Sequence, residues 1–397
     1  MIQSPLYWAV VFGSALVFWL LPAGIRFGFL AAVSTAYMAS IAPWWNVAAL
    51  AAWTLAFHRL APLTAESKPM AARILAAMIL GIASYLAYFK YLPPILSGLT
   101  SDRFELQVVI PLGISYFTFK LIHYAVEVSR GTIRDRSLQQ FFCYIFLFPI
   151  FTAGPIERYD HFLAQQSARF TIDDLVEGGT RIVHGLIKKF VFAGLILKPI
   201  LGERDTGAEL LSVLEVWPSY KVWGFMILSY AIMYLDFSAY SDIAIGTSRL
   251  FGIRIMENFN FPIFANNLGN YWKRWHISLS SWCQTYVYLP VLGLSRNPYL
   301  ATCASFLVMG LWHSGSWMRV CWGLYQALGV AAYVTWSQYK RKKKIRFLDK
   351  GLWRFAGIPL TLAYVIPSLA FLVVEFDGRV YDAFRILARL AFFHLPA

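Results

Sequence analysis

A histidine, His313, lies in the middle of a strongly apolar stretch of the chain, FLVMGLWHSGSWMRVCWGLYQALG. Burial disfavours the charged imidazolium, so a histidine in such surroundings stays neutral and can act as a base. The unperturbed histidine pKa of about 6.5 also lies near neutral pH, which suits general base catalysis. An alcohol needs such a base before it can attack a carbonyl carbon. The residue type and its surroundings therefore favour acyl transfer to a hydroxyl group.

The neighbours of His313 favour a dry site that a substrate chain can reach. Trp312, Trp317 and Trp322 would exclude water and form broad apolar walls. Gly310, Gly315 and Gly323 carry no side chain, so we expect them to thin the packing around the histidine. Isolated histidines on apolar helices are more often structural residues, and this interpretation is the alternative for His313.

A second histidine, His276, lies in NNLGNYWKRWHISLSSW, with Trp272 and Ser280 one helical turn away on either side. An interfacial helix with snorkelling side chains explains the lysine and arginine of this stretch. It explains His276 less well, because Trp275 and Ile277 flank it. A structural role and a site role both stay open. In the site, His276 or a nearby amide could supply the hydrogen-bond donor for the oxyanion, which contributes about 3–4 kcal/mol.

Two carboxylates, Asp236 and Asp242, lie in the helical sequence MYLDFSAYSDIAIGTSRLFG, and Ser238 shares a helix face with Asp242. A carboxylate at membrane depth costs several kcal/mol unless it is paired or hydrated. Each aspartate is therefore either a functional residue or the structural partner of an arginine, lysine or tryptophan. A further alternative is an ion relay in a transporter, although the inverted repeats expected of such proteins are not evident.

The composition indicates a membrane protein. Of 397 residues, 58% are hydrophobic and only 14% are charged, more apolar surface than a water-soluble fold of this length can hide. Runs such as AARILAAMILGIASYLAYF are long enough to span a bilayer, which takes about 20 apolar residues. We predict an all-α polytopic protein with about 10–12 transmembrane or re-entrant helices.

The formal net charge of +14 is concentrated in a few segments, chiefly QYKRKKKIRFLDKG at 338–351. The positive-inside rule explains this segment as a loop on the cytoplasmic side, and nucleic acid is not an expected partner. The four cysteines are isolated, with no pair at metal-ligand spacing, so we expect free thiols and no metal site. The first helix lacks a signal-peptide pattern, and we expect it to be retained.

We predict a single membrane domain over 1–397 with three regions: peripheral N-terminal helices at 1–95, catalytic core motifs at 105–330, and C-terminal helices at 355–394. In the middle region polar residues, proline and glycine interrupt apolar sequence. Broken backbone at membrane depth is tolerated only where protein or a water-filled cavity satisfies it. Function is therefore expected in this region.

Five segments resemble, in the same order, the signature motifs of the membrane-bound O-acyltransferase (MBOAT) superfamily. They are IPLGISYFTF, FPIFTAGPIERY, DFSAYSDIAIGTSRLFGIRIMENFNFPI, YWKRWHISLSSW and GLWHSGSW followed by WGLY. The resemblance covers about residues 105–330. It is nearest to the bacterial branch of the alginate O-acetylation proteins and the teichoic acid D-alanylation transferases.

The resemblance implies a ring of helices around a central funnel, with His313 and His276 as the catalytic residues. It also implies a substrate or acyl tunnel and a donor side within the other motifs. The tunnel candidates are Trp312, Trp317, Asp236, Ser238, Tyr240, Asp242, Trp275, Arg274 and Ser278, and the donor-side candidates are Glu157 and Arg158.

Several residues depart from the family pattern: Ser314 follows the catalytic histidine in place of glycine, and Gln326 stands where histidine is common. The resemblance implies no bound cofactor and a cytoplasmic thioester donor, either acetyl-CoA or an acyl carrier protein with a phosphopantetheine arm. It implies a multi-pass protein of the inner or plasma membrane that works with an extracytoplasmic acyltransferase. The product would be an O-acetylated envelope or secreted polysaccharide; D-alanyl or another carrier-borne acyl transfer to an envelope polymer is the alternative. A purely structural envelope subunit also stays open.

Overall fold

A computed structural model describes residues 2–65, 69–93, 95, 109–167, 169–201, 207–345, 353–375 and 379–393. The predicted boundaries at 105 and 394 lie outside these ranges, and the basic segment 338–351 is described as far as Ile345. Helices make up the fold, and the described ranges contain no strand beyond one isolated bridge between Gln166 and Ile253. The prediction of an all-α fold is confirmed.

The chain divides into two compact units, Met1–Gly185 with Tyr240–Glu257, and Leu186–Ala239 with Asn258–Ala397. The single domain and the funnel stay predictions. The described helices that begin before residue 186 are Pro5–Leu20, Ala23–Ile41, Trp44–Leu60, Pro69–Lys90, Ile114–Ser129, Leu138–Phe146, Tyr159–Ala164 and Ile172–Leu186.

The helix Ile172–Leu186 continues into π-helical winding over Ile187–Leu197 and then into Lys198–Leu201. The remaining described helices are Gly207–Val213, Ser219–Arg249, Leu268–Trp272, Ile277–Cys283, Leu289–Ser295, Pro298–His313, Trp317–Lys342, Trp353–Val365, Ala370–Val373 and Val380–Leu390. A second π-helical segment spans Gln284–Tyr288, and short 3-10 segments span Ala61–Thr64, Phe148–Ile150, Pro262–Phe264 and Ile366–Leu369.

Local sequence signals set the start of the two helices that contain the apolar stretch around His313. Asn297 caps the helix Pro298–His313 by accepting hydrogen bonds from the backbone N–H of Tyr299 (2.9 Å) and Leu300 (3.2 Å). Pro298 fits the first turn because its missing N–H would have no partner there. The helix Trp317–Lys342 starts from Ser316, whose hydroxyl accepts from the backbone N–H of Arg319. The first helix thus ends at His313, and a new helix begins at Trp317.

Four described helices are long and apolar enough to cross a membrane: Ala23–Ile41, Pro69–Lys90, Ser219–Arg249 and the composite Phe355–Val373. Two shorter apolar segments, Pro5–Leu20 and Leu138–Ile150, accompany them. Several apolar helices in one chain make this a multi-pass membrane protein, as predicted. The count of 10–12 segments stays a prediction.

Glycines around His313 let two helices cross closely and do not open space. A Cβ added to Gly310 would lie 2.3 Å from the backbone oxygen of Arg319, and one added to Gly323 would lie 2.6 Å from that of Phe306. The helices Pro298–His313 and Trp317–Lys342 therefore pack backbone against backbone at these positions. The expectation that these glycines leave room for a substrate is wrong.

Candidate active site

Both histidines line one small cavity in the second unit. Its volume is about 90 Å³, room for a few water molecules or one small group. Most of the lining is aromatic or aliphatic, and Arg319 is the one permanently charged side chain among the described lining residues. The lining residues are Met233, Phe237, Tyr271, Trp272, Trp275, His276, Leu279, Met309, His313, Arg319, Trp322, Gln326, Val365, Ser368, Leu369 and Leu372.

His313 is the last residue of its helix, and aromatic rings hold its imidazole. The ring centroid lies 4.8 Å from that of Trp312 at 66° and 5.8 Å from that of Trp322 at 87°. Trp312 also lies edge-on to the second imidazole, with 6.0 Å between its centroid and that of His276. One buried tryptophan therefore packs against both histidine rings.

The backbone of His276 adopts a left-handed conformation, with φ of 45° and ψ of 54°, immediately before the helix Ile277–Cys283. This conformation is unfavourable for a residue with a Cβ and persists only where the surroundings stabilise it. Two backbone hydrogen bonds flank the residue, from Ile277 N–H to Asn258 O and from Asn260 N–H to Arg274 O, each 2.9 Å long. The segment around Asn258 thereby fixes the turn that presents His276.

The His276 side chain is 2% exposed, and its side-chain hydrogen-bond partner is Asn258. Its Nδ1 lies 3.1 Å from Oδ1 of Asn258, and Phe237 packs edge-on against the ring at 4.8 Å. His276 lies outside the four candidate spans. Burial lowers its pKa to about 3, so the imidazole is neutral at physiological pH.

Three side chains of the cavity wall carry a buried polar atom that no described residue satisfies: Nε2 of His276, Nε1 of Trp272 and Oε1 of Gln326. The amide nitrogen Nε2 of Gln326 does have a partner, because it donates to Oγ of Ser368 at 2.9 Å. Buried polar atoms are normally hydrogen-bonded, so their concentration here favours a cavity that receives a polar ligand group.

The charge of Arg319 is balanced within the same unit. Its Nε and Nη2 atoms lie 2.7 Å and 2.6 Å from Oε2 of Glu375, whose side chain is 2% exposed. Ser316, the cap of the helix that carries Arg319, donates from its hydroxyl to the other carboxylate oxygen at 2.8 Å. The pair joins the beginning of this helix to the C-terminal part of the chain.

The structure brings Trp275 to the cavity wall with the histidines, where it stacks on Tyr271 at 5.7 Å and 13°. Trp317 is 75% exposed and does not line the cavity, because the helix ends at His313 and Trp317 begins the next helix. Arg274 also lies outside the lining; it donates to Oδ1 of Asn270 and to the backbone oxygen of Asn260, both at 3.0 Å.

Four more predicted tunnel residues of this unit lie outside the cavity lining, and one of them is Trp312, which contacts both imidazoles. Ser278 is buried and donates from Oγ to Oδ1 of Asn258 at 2.7 Å. Ser238 is buried and bonds its own helix at Leu235 O, 3.3 Å away. Asp236 forms an ion pair with Lys189, as the structural interpretation of this carboxylate predicts.

Four predicted residues belong to the first unit. Asp242 pairs with Arg181 at 2.9 Å, again in line with the structural interpretation, and Tyr240 bonds Thr152 through their hydroxyls at 2.8 Å. Arg158 precedes the helix Tyr159–Ala164. The tunnel roles of Asp242 and Tyr240 and the donor-side role of Arg158 stay predictions.

Glu157, the other donor-side candidate, is 1% exposed and accepts three hydrogen bonds within the first unit. The donors are the backbone N–H of Arg158 at 3.1 Å, the backbone N–H of Met256 at 2.6 Å and Nδ1 of His161 at 2.6 Å. These contacts show Glu157 connecting two segments of its own unit; its donor-side role stays a prediction.

Sequence reasoning missed Asn258 and the pair of Arg319 with Glu375. The signal for Asn258 was weak: it lies near the end of the motif DFSAYSDIAIGTSRLFGIRIMENFNFPI, and nothing in the spacing marked its amide as the partner of a histidine. Gln326 was noted only as a departure from the family pattern. In the part of the chain that the structure describes, no cluster of three or more histidine, cysteine or acidic side chains could hold a metal ion.

Comparisons with known proteins identify the family to which the chain is similar. The sequence model of MBOAT, the membrane-bound O-acyltransferase family, matches residues 7–374. The chain is 33% identical over 304 residues to the protein named probable alginate O-acetylase AlgI from Azotobacter vinelandii, an alignment covering 71% of this chain and 57% of the relative.

Two other relatives carry different names. Identity to the teichoic acid D-alanyltransferase of Streptococcus thermophilus is 28%, over 68% of this chain and 69% of the relative. Identity to the peptidoglycan O-acetyltransferase of Helicobacter pylori is 29%, over 67% of this chain and 56% of the relative. The chain spans only about half the length of the alginate relatives that it matches.

Proposed function

Because the chain belongs to the membrane-bound O-acyltransferase family, we propose that it is an O-acyltransferase that modifies an envelope or secreted polysaccharide. The observation that carries this proposal is the cavity that holds both His276 and His313, with an unsatisfied ring nitrogen on His276. A neutral imidazole beside a small and mostly apolar cavity is an arrangement suited to proton removal from an alcohol.

In the proposed reaction His313 takes the proton of an acceptor hydroxyl. The hydroxyl oxygen forms a bond to the acyl carbon of a thioester, the C–S bond breaks, and the proton passes to the departing thiolate. The donor is acetyl-CoA or an acyl carrier protein with a phosphopantetheine arm on the cytoplasmic side of the inner or plasma membrane. The acceptor is either the polysaccharide or an extracytoplasmic acyltransferase that delivers the group to it.

The lining of the cavity supports acetyl as the transferred group. A D-alanyl group carries an ammonium, which needs an acidic or strongly accepting partner when it is removed from water. The described lining contains no carboxylate side chain that could receive an ammonium, and its one charged residue, Arg319, is already paired with Glu375. D-alanyl transfer is the second candidate, because a teichoic acid D-alanyltransferase matches over a larger share of its own length than the alginate relatives do.

The pairing of the two aspartates weakens the transporter alternative. Asp236 pairs with Lys189 in the second unit, and Asp242 pairs with Arg181 in the first. Carboxylates that carry ions must exchange partners, whereas these two already serve as structural counter-ions.

The test is to express the native chain, His313→Ala and His276→Ala in cells that lack the gene, and to release ester-linked groups from the envelope polymer with hydroxylamine. We expect the native chain to restore acetyl ester, His313→Ala to restore none, and His276→Ala to restore little. His184→Ala is the matched control, because His184 is exposed on the helix Ile172–Leu186, and it should restore the native level. All variants are compared at equal amounts of membrane-inserted protein.

Two results would contradict the proposal. Full acylation by His313→Ala would remove the proposed base, and an unchanged polymer in cells with and without the native chain would remove the activity. Mass spectrometry identifies the released group, and D-alanine in place of acetate would overturn the acetyl assignment while leaving acyl transfer intact.

A further inference from the structure

Asn258 contacts His276 in a way that fixes which ring nitrogen carries the proton. Its Oδ1 atom is approached by three groups: the backbone nitrogen of Ser278 at 3.4 Å, the hydroxyl of Ser278 at 2.7 Å, and Nδ1 of His276 at 3.1 Å. A backbone N–H can only donate, so the Asn258 atom that it approaches is the amide oxygen. Geometry thus assigns the orientation of this buried amide.

The position of the amide oxygen in turn determines which tautomer the imidazole of His276 adopts. An oxygen acceptor needs a hydrogen on Nδ1 of His276, and a neutral imidazole carries a single N–H. Nε2 therefore bears a lone pair, and it is the atom that has no partner among the described residues. A reversed imidazole, with hydrogen on Nε2, would set a bare Nδ1 against the oxygen and lose this bond.

We propose that Asn258 is a positioning residue that holds His276 in the Nδ1–H tautomer, so that Nε2 accepts a hydrogen bond from the acceptor hydroxyl. This inference rests on the proposed acyl transfer and adds a role that the sequence motifs do not indicate. His276 then orients the nucleophile, and His313 removes the proton. The Nδ1–H tautomer also favours His276 as a hydrogen-bond acceptor. The role expected from the sequence, donation to the oxyanion, would need a hydrogen on the nitrogen that faces the substrate.

The backbone of Asn258 supports the same role. Its carbonyl oxygen accepts from the N–H of Ile277 at 2.9 Å, next to the left-handed residue. One asparagine therefore holds both the strained backbone and the ring of His276, and the side chain is fully buried. A histidine that only filled space would not need its tautomer fixed.

Two substitutions of similar size separate the positioning role from a structural one. Asn258→Leu keeps the volume and removes the acceptor, so His276 loses its tautomer preference. We expect its turnover to fall by up to about 10⁴-fold, the loss seen when a catalytic histidine loses the partner that fixes its tautomer. Asn258→Asp keeps an oxygen that accepts all three hydrogen bonds, and we expect turnover within about tenfold of the native value.

A purely structural asparagine predicts the opposite order. A buried carboxylate costs more than a buried leucine, so packing alone would make Asn258→Asp the worse variant. The matched controls are Asn260→Leu and Asn260→Asp, because Asn260 is exposed two residues away and makes its hydrogen bonds through the backbone. Both should keep native turnover.

A direct measurement covers the case in which a variant fails to fold. Nitrogen-15 NMR of histidine-labelled native protein in lipid nanodiscs, with the His276 signals identified by their loss in His276→Gln, reads the protonation of each ring nitrogen. We expect a protonated Nδ1 and a bare Nε2. A protonated Nε2, or turnover of Asn258→Leu equal to that of Asn258→Asp, would overturn the inference. Absence of acyl transfer by the native chain would instead overturn the proposed function, while the NMR result would stand by itself.

Discussion

The close crossing of the helices Pro298–His313 and Trp317–Lys342 gives the sharpest prediction about the site. In Gly310→Ala the new Cβ would lie 2.3 Å from the backbone oxygen of Arg319, whereas ordinary contacts begin at 3.4 Å. Backbone cannot rotate away as a side chain can, so the helices must separate by about 1 Å.

This displacement affects both stability and turnover. Overpacking of this kind costs about 1–3 kcal/mol, while alanine gains up to about 1 kcal/mol over glycine inside a helix. Gly310 lies one helical turn before His313, so the shift also displaces the imidazole. Displacement of a catalytic group by about 1 Å can cost about 10²-fold in rate, and we expect a loss of that order.

Gly224→Ala is the matched control. Gly224 lies inside the helix Ser219–Arg249, and a Cβ there meets no atom within 4 Å. Both variants share the gain in helix propensity, so the difference between their unfolding temperatures in one detergent isolates the strain. Turnover is measured as ester-linked acetyl on the polymer at equal protein amounts. If Gly310→Ala matched Gly224→Ala in unfolding temperature and turnover, the two helices would not meet at this glycine.

Two predictions concern charged groups. Glu375→Leu leaves the charge of Arg319 without its partner, so we expect the free energy of unfolding to fall by about 3–5 kcal/mol. Adding Arg319→Met removes that unpaired charge and should recover a large part of the loss. If thermal unfolding showed that the losses of the two single variants add in the double variant, the pairing would be contradicted. The hydrogen bond to Glu157 raises the pKa of His161 above 6.5, so its stabilisation is complete below pH 6.5 and is lost as pH rises through the raised pKa. The unfolding temperature of the native chain should therefore exceed that of His161→Gln most at pH 6, and a difference independent of pH would refute the linkage.

The sequence predicted the helical fold correctly and singled out the two histidines that line one cavity, because both depend on local signals; their catalytic roles stay predictions. Apolar runs indicate membrane helices wherever they lie, and the motifs around His276 and His313 mark residues that meet in one cavity. The same logic fails for Trp317, five residues after Trp312. Spacing suggested a shared wall, but the cap at Ser316 starts a new helix in another direction.

The contacts that complete the site join distant parts of the chain, and a single sequence does not show them. Asn258 lies 18 residues before His276, and Glu375 lies 56 residues after Arg319. The absence of a side chain at Gly310 is compatible with an open passage or with a close helix crossing. Only coordinates decide between the two, since the difference depends on what lies opposite the glycine.

The features around His276 that break ordinary packing rules are best explained together. A left-handed residue with a Cβ costs about 1–3 kcal/mol, and each buried polar atom without a partner costs a similar amount. The wall of one 90 Å³ cavity contains the strained His276 and unsatisfied atoms of His276, Trp272 and Gln326. Such costs persist where a bound group supplies the missing hydrogen bonds. A donor to Nε2 of His276 and to Oε1 of Gln326, with an acceptor for Nε1 of Trp272, would satisfy all three. An acceptor hydroxyl has one hydrogen, which it can donate to Nε2 of His276, and an acyl carbonyl can accept from Nε1 of Trp272, while Oε1 of Gln326 needs a second donor. Two of the three unsatisfied atoms thus favour a site for an alcohol and an ester-forming acyl group.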